Sequence, residues 1–184
     1  LALGVLSQLI DDEDLKARAA ALLGKVGDHL RDNHMALQDW DGRVTEHGRF
    51  WPMALDDYPG FNAALGLSYV QMAAKATGRQ DLWDYYYDCL LQRGGQVDCL
   101  NRMPKPNRSF AESLPFTGLY VGDKGCKSNW NNISMMWVAM FTLTWFEQDP
   151  ELKALYQQVF EEEMFHREGQ PRSLDKQHNV GWTL

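Results

Sequence analysis

The strongest constraint on the fold of this chain is a threefold internal repeat. Segments 11–16, 77–83 and 147–153 read alike, and each opens an amphipathic stretch with an apolar position every three or four residues. When the segments are aligned, Leu15, Leu82 and Leu152 lie 67 and 70 residues apart. Periodicity of this kind predicts helices with one buried face and a polar back. A repeat of about 70 residues indicates a helical array built from similar units.

A second kind of helix is predicted before each of these. Segments 61–76 and 131–146 are apolar around most of their circumference, and segment 1–10 resembles the end of another such helix. A helix that is apolar on all sides is expected to be buried on all sides. The chain therefore alternates buried inner helices with one-sided outer helices. This pattern predicts an all-α fold of about three helical hairpins.

The connections between these helices differ in length. Inner-to-outer turns are short, near 10–12, 77–80 and 147–150, whereas outer-to-inner loops are long, at about 33–60, 93–128 and 168–177. Long loops in a compact domain are usually functional. Because successive inner and outer helices run in opposite directions, all the long loops should lie at one end of the array, beside the starts of the inner helices. We expect the functional site at this loop-bearing end.

Composition and charge exclude several classes of protein. Hydrophobic residues make up 45% and charged residues 23%, which is typical of a globular chain. The formal net charge of −7 argues against nucleic acid and anionic membranes as partners. The longest apolar stretch, 133–146, is shorter than the ~18–20 residues that span a bilayer. We predict no membrane span.

Three cysteines, Cys89, Cys99 and Cys126, lack the spacing of metal ligands, and their odd number leaves at least one thiol free. A Cys89–Cys99 or Cys99–Cys126 disulfide could form in an oxidising compartment; three reduced thiols are the alternative. Cys89 lies on the apolar stripe of the second outer helix. It is therefore expected to be buried and reduced.

The segment 39–48, Asp-Trp-Asp-Gly-Arg-Val-Thr-Glu-His-Gly, is followed at 59–62 by Pro-Gly-Phe-Asn. Together with the alternating helices, it resembles the lead-in to an inner helix in bacterial members of the six-hairpin (α/α) toroid superfamily. This superfamily includes glycoside hydrolases, polysaccharide lyases and sugar epimerases. The resemblance implies that residues 1–184 form a single but incomplete toroid domain, part of a longer chain. An open three-hairpin domain is the alternative, and no catalytic residue is carried over from a named family.

Candidate catalytic groups are concentrated in the two long loops. The first loop holds Asp39, Asp41, Glu46 and His47, which could act as acid, base or proton carrier. Asp41-Gly42 is equally a turn signal. Asp-X-Asp-Gly also suggests calcium, but an EF-hand requires Glu at the twelfth position, where this chain has Phe50. The second loop holds Glu112, whose apolar neighbours would suit a proton-carrying general acid. A surface loop without function is the alternative.

Candidate substrate-binding groups lie where inner helices begin. Neutral amides beside aromatic rings suit sugar hydroxyls, which both donate and accept hydrogen bonds. Helix capping by Asn is the structural alternative. Trp40, Trp51 and Trp130 could provide aromatic platforms on which sugar rings stack. The predicted set comprises Trp40, Trp51, Asn62, Trp130, Asn131, Asn132 and His178.

These patterns predict a carbohydrate-active protein, a hydrolase or lyase of oligo- or polysaccharide, acting at the loop-bearing end. We expect no cofactor or metal, and the resemblance suggests a soluble bacterial protein, periplasmic or secreted. A non-catalytic helical array that binds a glycan or protein is the alternative. A terpenoid-cyclase toroid is disfavoured because no Asp-rich motif stands on an inner helix. The sequence does not indicate an oligomeric state.

Overall fold

The computed structural model describes residues 1–50, 59–91, 109–115, 119–120, 126–127 and 130–165. At 46–47, 59, 119–120, 126–127, 130–134 and 163–165 the description extends to the backbone alone. Three helical hairpins follow one another along the chain. The helices are α1 (Ala2–Leu9), α2 (Glu13–Asp32), α3 (Pro59–Thr77), α4 (Gln80–Asp84), α5 (Phe110–Ser113), α6 (Trp130–Phe146) and α7 (Pro150–Gln158). Helices α4 and α7 each continue as a π-helical segment, Tyr85–Leu90 and Val159–Phe165.

The helix α3 occupies the centre of the array. It packs against α1 and α2 on one side and against α6 on the other. Its residues from Ala63 to Ala74 are buried except for Tyr69, which is half-buried. Because Phe146 at the end of α6 clusters with residues 72–74 of α3, the carboxyl ends of these two inner helices lie together. The inner helices are therefore parallel, and their amino ends face the long loops.

Short turns join each inner helix to its outer partner, as the repeat predicts. Two of the outer helices begin with an aspartate cap. The Asp12 side chain accepts a hydrogen bond from the backbone N–H of Leu15, and Asp149 accepts from Glu151 and Leu152. Such caps satisfy N–H groups that have no partner within the helix. The repeat thus marks real helix starts.

The second outer helix lacks an aspartate cap and has Arg79 at that position. Arg79 forms ion pairs with Asp81 at 2.5 Å and with Asp28 of α2 at 2.7 Å, and Arg31 joins the same two carboxylates. Hydrogen bonding to Arg79, with a smaller contribution from Arg31, lowers the pKa of Asp81 to about 2. This four-residue cluster ties the first hairpin to the second.

Two small antiparallel sheets lie within the long loops. Strands β1 (Ala36–Gln38) and β2 (Val44–Arg49) pair Ala36 with Arg49 and Gln38 with Val44, with a bulge between. Strands β3 (Leu119–Tyr120) and β4 (Cys126–Lys127) form the second. A mostly helical fold is therefore confirmed, with no sheet in the described inner helices. Three adjacent hairpins do not by themselves make a ring.

The inner helices are more buried than the outer ones, as predicted, but α6 is not buried on all sides. Met135, Phe141 and Trp145 are 41–49% exposed and form one stripe along it. At the other edge of the array, Leu6 and Leu22 are 44% and 50% exposed. The expectation of full burial was wrong for α6 because no described element covers its outer side. Apolarity predicts that a face can be buried, whereas the neighbours decide whether it is.

The prediction for Cys89 is half right. Its side chain is 3% exposed, as its place on the apolar stripe requires. It is, however, disulfide-bonded, so the expected reduced state is wrong. Its partner is one of the two remaining cysteines, whose side chains lie outside the described residues. Helical periodicity predicts burial, but pairing depends on which cysteine the fold brings near.

Candidate functional site

The loop-bearing end of the array contains Asn62, in the first turns of α3. Its side chain is 2% exposed, and its amide nitrogen Nδ2 has no hydrogen-bond partner among the described residues. One turn later, a Cβ at Gly66 would lie 2.8 Å from Met35 Cε and 3.1 Å from Phe110 Cε1. The start of α3 is thus packed closely against neighbouring segments. An unsatisfied buried amide in such a place needs an explanation.

The β1–β2 hairpin carries three of the predicted site residues on its turn. Asp39 O accepts from Gly42 N at 2.9 Å, and Gly42 has a φ of +81°, a conformation that glycine adopts without strain. Arg43 forms an ion pair with Asp41, in which Arg43 Nε lies 2.6 Å from Asp41 Oδ2. The turn interpretation of Asp41-Gly42 is therefore confirmed. Trp40 at the tip is 97% exposed.

Glu112 has a local structural role in the short helix α5. Its Oε2 accepts from the backbone N–H of Ser109 at 2.7 Å, and its own N–H donates to Ser109 Oγ at 3.1 Å. This reciprocal pair is a capping box. The carboxyl is exposed and not enclosed by Phe110 and Pro115. The environment expected of a general acid is therefore not found at this position.

The other predicted site residues lie wholly or in their side chains outside the described residues. Trp51 and His178 lie outside the described residues. The backbones of Glu46 and His47 belong to β2, and those of Trp130, Asn131 and Asn132 to the first turn of α6. Both segments lie at the loop-bearing end. Whether the side chains share a cavity with Asn62 stays a prediction.

The sequence analysis missed a buried polar cluster at the opposite, short-turn end. Glu147, directly after α6, is 3% exposed. Its Oε2 accepts from Tyr86 Oη at 2.8 Å and from Gln71 Nε2 at 3.2 Å. Its Oε1 accepts from Tyr87 Oη at 2.7 Å and from the backbone N–H groups of residues 148 and 149 at 2.9 and 3.0 Å. Five donors therefore surround one carboxyl group.

A third tyrosine, Tyr156, extends this cluster. The hydroxyls of Tyr86 and Tyr156 are 2.5 Å apart, and both side chains are fully buried. Burial, and then the nearby Tyr156 and Glu147, raise the pKa of Tyr86 well above its usual value. Burial likewise raises the pKa of Tyr156. Both hydroxyls therefore hold their protons and act as donors. The cluster has a structural role, because it joins α3, the π-helical segment after α4, and α7 around Glu147.

One signal in the sequence could have revealed this cluster. Glu147 follows α6, a 17-residue helix without a single charged residue. A carboxyl that close to an apolar segment requires donors, because burying it unpaired is costly. The three consecutive tyrosines at 85–87 could supply them.

Comparisons with known proteins add no assignment: no protein-family model, curated protein or solved structure matches this chain. Within the described ranges, no group of three or more His, Cys, Asp or Glu side chains could hold a metal ion. No helix among the described residues is long and apolar enough to cross a membrane. The interpretation of the site therefore depends on its geometry.

Proposed function

We propose that this chain is an arc of an α/α toroid that binds carbohydrate at its loop-bearing end, with hydrolase or lyase action on oligo- or polysaccharide as its activity. Support for the toroid comes from the side-by-side hairpins and the parallel inner helices α3 and α6. The apolar stripes at both edges of the array also support it, since further hairpins of the same kind would cover them. Leu6 and Leu22 mark one edge, and Phe141 and Trp145 the other.

The observation that carries carbohydrate recognition is the unpartnered amide of Asn62. The amide nitrogen has less than 1 Å² of exposed area, so a sugar oxygen reaches it only when neighbouring side chains move on binding. Leaving a buried donor unsatisfied costs about 1–3 kcal/mol, and a ligand oxygen that accepts from it would recover much of that cost. Sugar hydroxyls are acceptors as well as donors. Trp40 lies at the tip of the adjacent hairpin and offers an indole ring that is 97% exposed. An amide and an exposed aromatic ring at one end of the molecule suit a sugar better than an apolar ligand.

Binding without catalysis is the second candidate, and two observations favour it. The Asp41 carboxylate is paired with Arg43, and that of Glu112 closes a capping box. Hydrolysis of a glycosidic bond normally uses two carboxyl groups placed across the sugar. Those two groups are engaged in local structure. A catalytic version of the proposal therefore depends on Asp39, Glu46 or His47.

The test compares Trp40→Ala and Asn62→Ala with the unaltered chain in affinity electrophoresis on soluble polysaccharides. Both variants should lose retardation. Trp145→Ala, which removes another exposed tryptophan far from the loops, should retain it. Asn62→Ala should unfold at the same temperature as the unaltered chain or higher, because it removes an unsatisfied group. The proposal is refuted if both loop-end variants are still retarded. It is also refuted if no polysaccharide retards the unaltered chain.

Catalysis is tested separately by incubating the polysaccharides that bind. New reducing ends without ultraviolet absorbance indicate a hydrolase, and new absorbance from an unsaturated sugar indicates a lyase. Binding without either product supports the second candidate.

A further inference from the structure

A groove opens at the short-turn end of the array, opposite the loop-bearing end. Its volume is about 590 Å³, within the ~300–1,000 Å³ of typical small-molecule sites. All three hairpins contribute to its lining. The principal side chains that line it are Gln8, Lys75, Gln80, Trp83, Tyr87 and Gln148.

In the described part of the chain, the polar side chains of this lining are three primary amides and one ammonium group. Two of the amides are held by neighbours: Gln8 Nε2 donates to Ser7 Oγ at 3.2 Å, and Gln80 Nε2 donates to Asp84 Oδ1 at 2.8 Å. A primary amide both donates and accepts, as a sugar hydroxyl does. Amides arranged around a groove can therefore satisfy several hydroxyls of one ligand.

The aromatic part consists of Trp83 and Tyr87. Their rings are stacked with centroids 5.6 Å apart and planes 18° from parallel. The Tyr87 hydroxyl donates to Glu147 Oε1 at 2.7 Å, which fixes the orientation of its ring. Ordered aromatic rings in a polar groove provide apolar contact for the C–H faces of a sugar.

The charge of the lining is positive, in a chain whose formal net charge is −7. Lys75 belongs to none of the ion pairs among the described residues. Glu147 lies behind Tyr87, but its oxygens already accept five hydrogen bonds from protein donors. Among the described residues of the lining, a ligand in the groove would therefore meet one cation and no carboxylate.

We propose that this groove binds a short acidic sugar, with its carboxylate on Lys75, its hydroxyls on the glutamine amides and its ring against Trp83. The site is separate from the loop-bearing end and does not depend on the function proposed there. The ammonium of Lys75 can pair with one carboxylate of such a ligand, and charge-assisted hydrogen bonds are the strongest polar contacts available to it.

The experiment titrates the full chain with digalacturonic acid by isothermal calorimetry. Lys75→Met retains the apolar stem and removes the charge, so binding should weaken by about tenfold or more. Gln148→Ala, at an exposed side chain, should weaken it several-fold. Lys25→Met is the matched control on the exposed face of α2 and should bind as the unaltered chain does. Circular dichroism verifies that each variant is folded.

Three results would overturn this proposal: no saturable binding of digalacturonic acid, equal binding by Lys75→Met, or equal binding of a neutral disaccharide such as maltose. Trp40→Ala separates the two proposals. It should leave digalacturonic acid binding in the groove unchanged, whatever it does to polysaccharide binding at the loops.

Discussion

Replacing Glu147 by Gln tests whether the buried cluster needs a charged acceptor. The substitution conserves shape but turns one accepting oxygen into an NH2 group. If the new nitrogen occupies the Oε1 position, it faces two backbone N–H groups that cannot turn away. If it occupies the Oε2 position, it faces Gln71 Nε2, also a donor, and the Tyr86 hydroxyl, which can rotate towards Tyr156. The second arrangement is the less costly.

The magnitude follows from what remains in that arrangement. Three hydrogen bonds at Oε1 survive, but they become bonds to a neutral acceptor, and one donor–donor contact is created. Bonds to a charged group contribute about 1.5–3 kcal/mol, against about 1 kcal/mol for neutral ones. Removing a buried charge recovers part of its desolvation cost. We expect a net loss of about 2–3 kcal/mol, which lowers the thermal midpoint by roughly 5–10 °C.

The measurement is urea unfolding followed by circular dichroism, with the slope of the transition checked for constancy. Tyr156→Phe is the control, because it deletes one hydroxyl from the same cluster and leaves the carboxyl and its five donors in place. It should cost about 1 kcal/mol. If Glu147→Gln unfolds at the same urea concentration as the unaltered chain, the five donors do not stabilise a carboxylate and the reasoning fails.

Three further results are expected. Arg79 holds the folded pKa of Asp81 at about 2, below its ordinary 3.8, so the stability that this carboxylate contributes is complete above pH 4 and lost as the pH falls towards 2. The urea midpoint of Asp81→Asn should therefore change less with pH over that range than the midpoint of the unaltered chain. An equal change of the two midpoints with pH would contradict this. Gly27→Ala should lower the free energy of unfolding in urea by about 1–3 kcal/mol, since its Cβ would lie 2.8 Å from Ala73 Cβ where α2 crosses α3. An unchanged urea midpoint would show that the two helices can move apart without loss of stability. Because Cys89 is disulfide-bonded, thiol titration of the unfolded chain should find one free thiol before reduction and three after it; three before reduction would exclude the disulfide.

Of the predicted site, the sequence located Asn62 at a helix start and Trp40 on a turn, and the structure supplied their burial and exposure. The sequence left a turn and a catalytic role open for Asp41, and a catalytic role and a plain surface loop open for Glu112, because Asp and Glu are common in turns and caps as well as in catalytic loops. Only the contacts to Arg43 and Ser109 separate these roles. The type of a loop residue therefore predicts its local structural position more reliably than it predicts a catalytic function.

What the sequence by itself determined is local. Apolar periodicity, the capping residues Asp12 and Asp149, and the short turns locate the hairpins, because each depends on residues within one or two helical turns of one another. The tertiary structure alone decided that Glu147 meets Tyr86, 61 residues earlier, and Gln71, 76 residues earlier. It also decided that α6 keeps one exposed apolar stripe. Such contacts depend on how separate hairpins pack, and no local pattern in the chain specifies which faces meet.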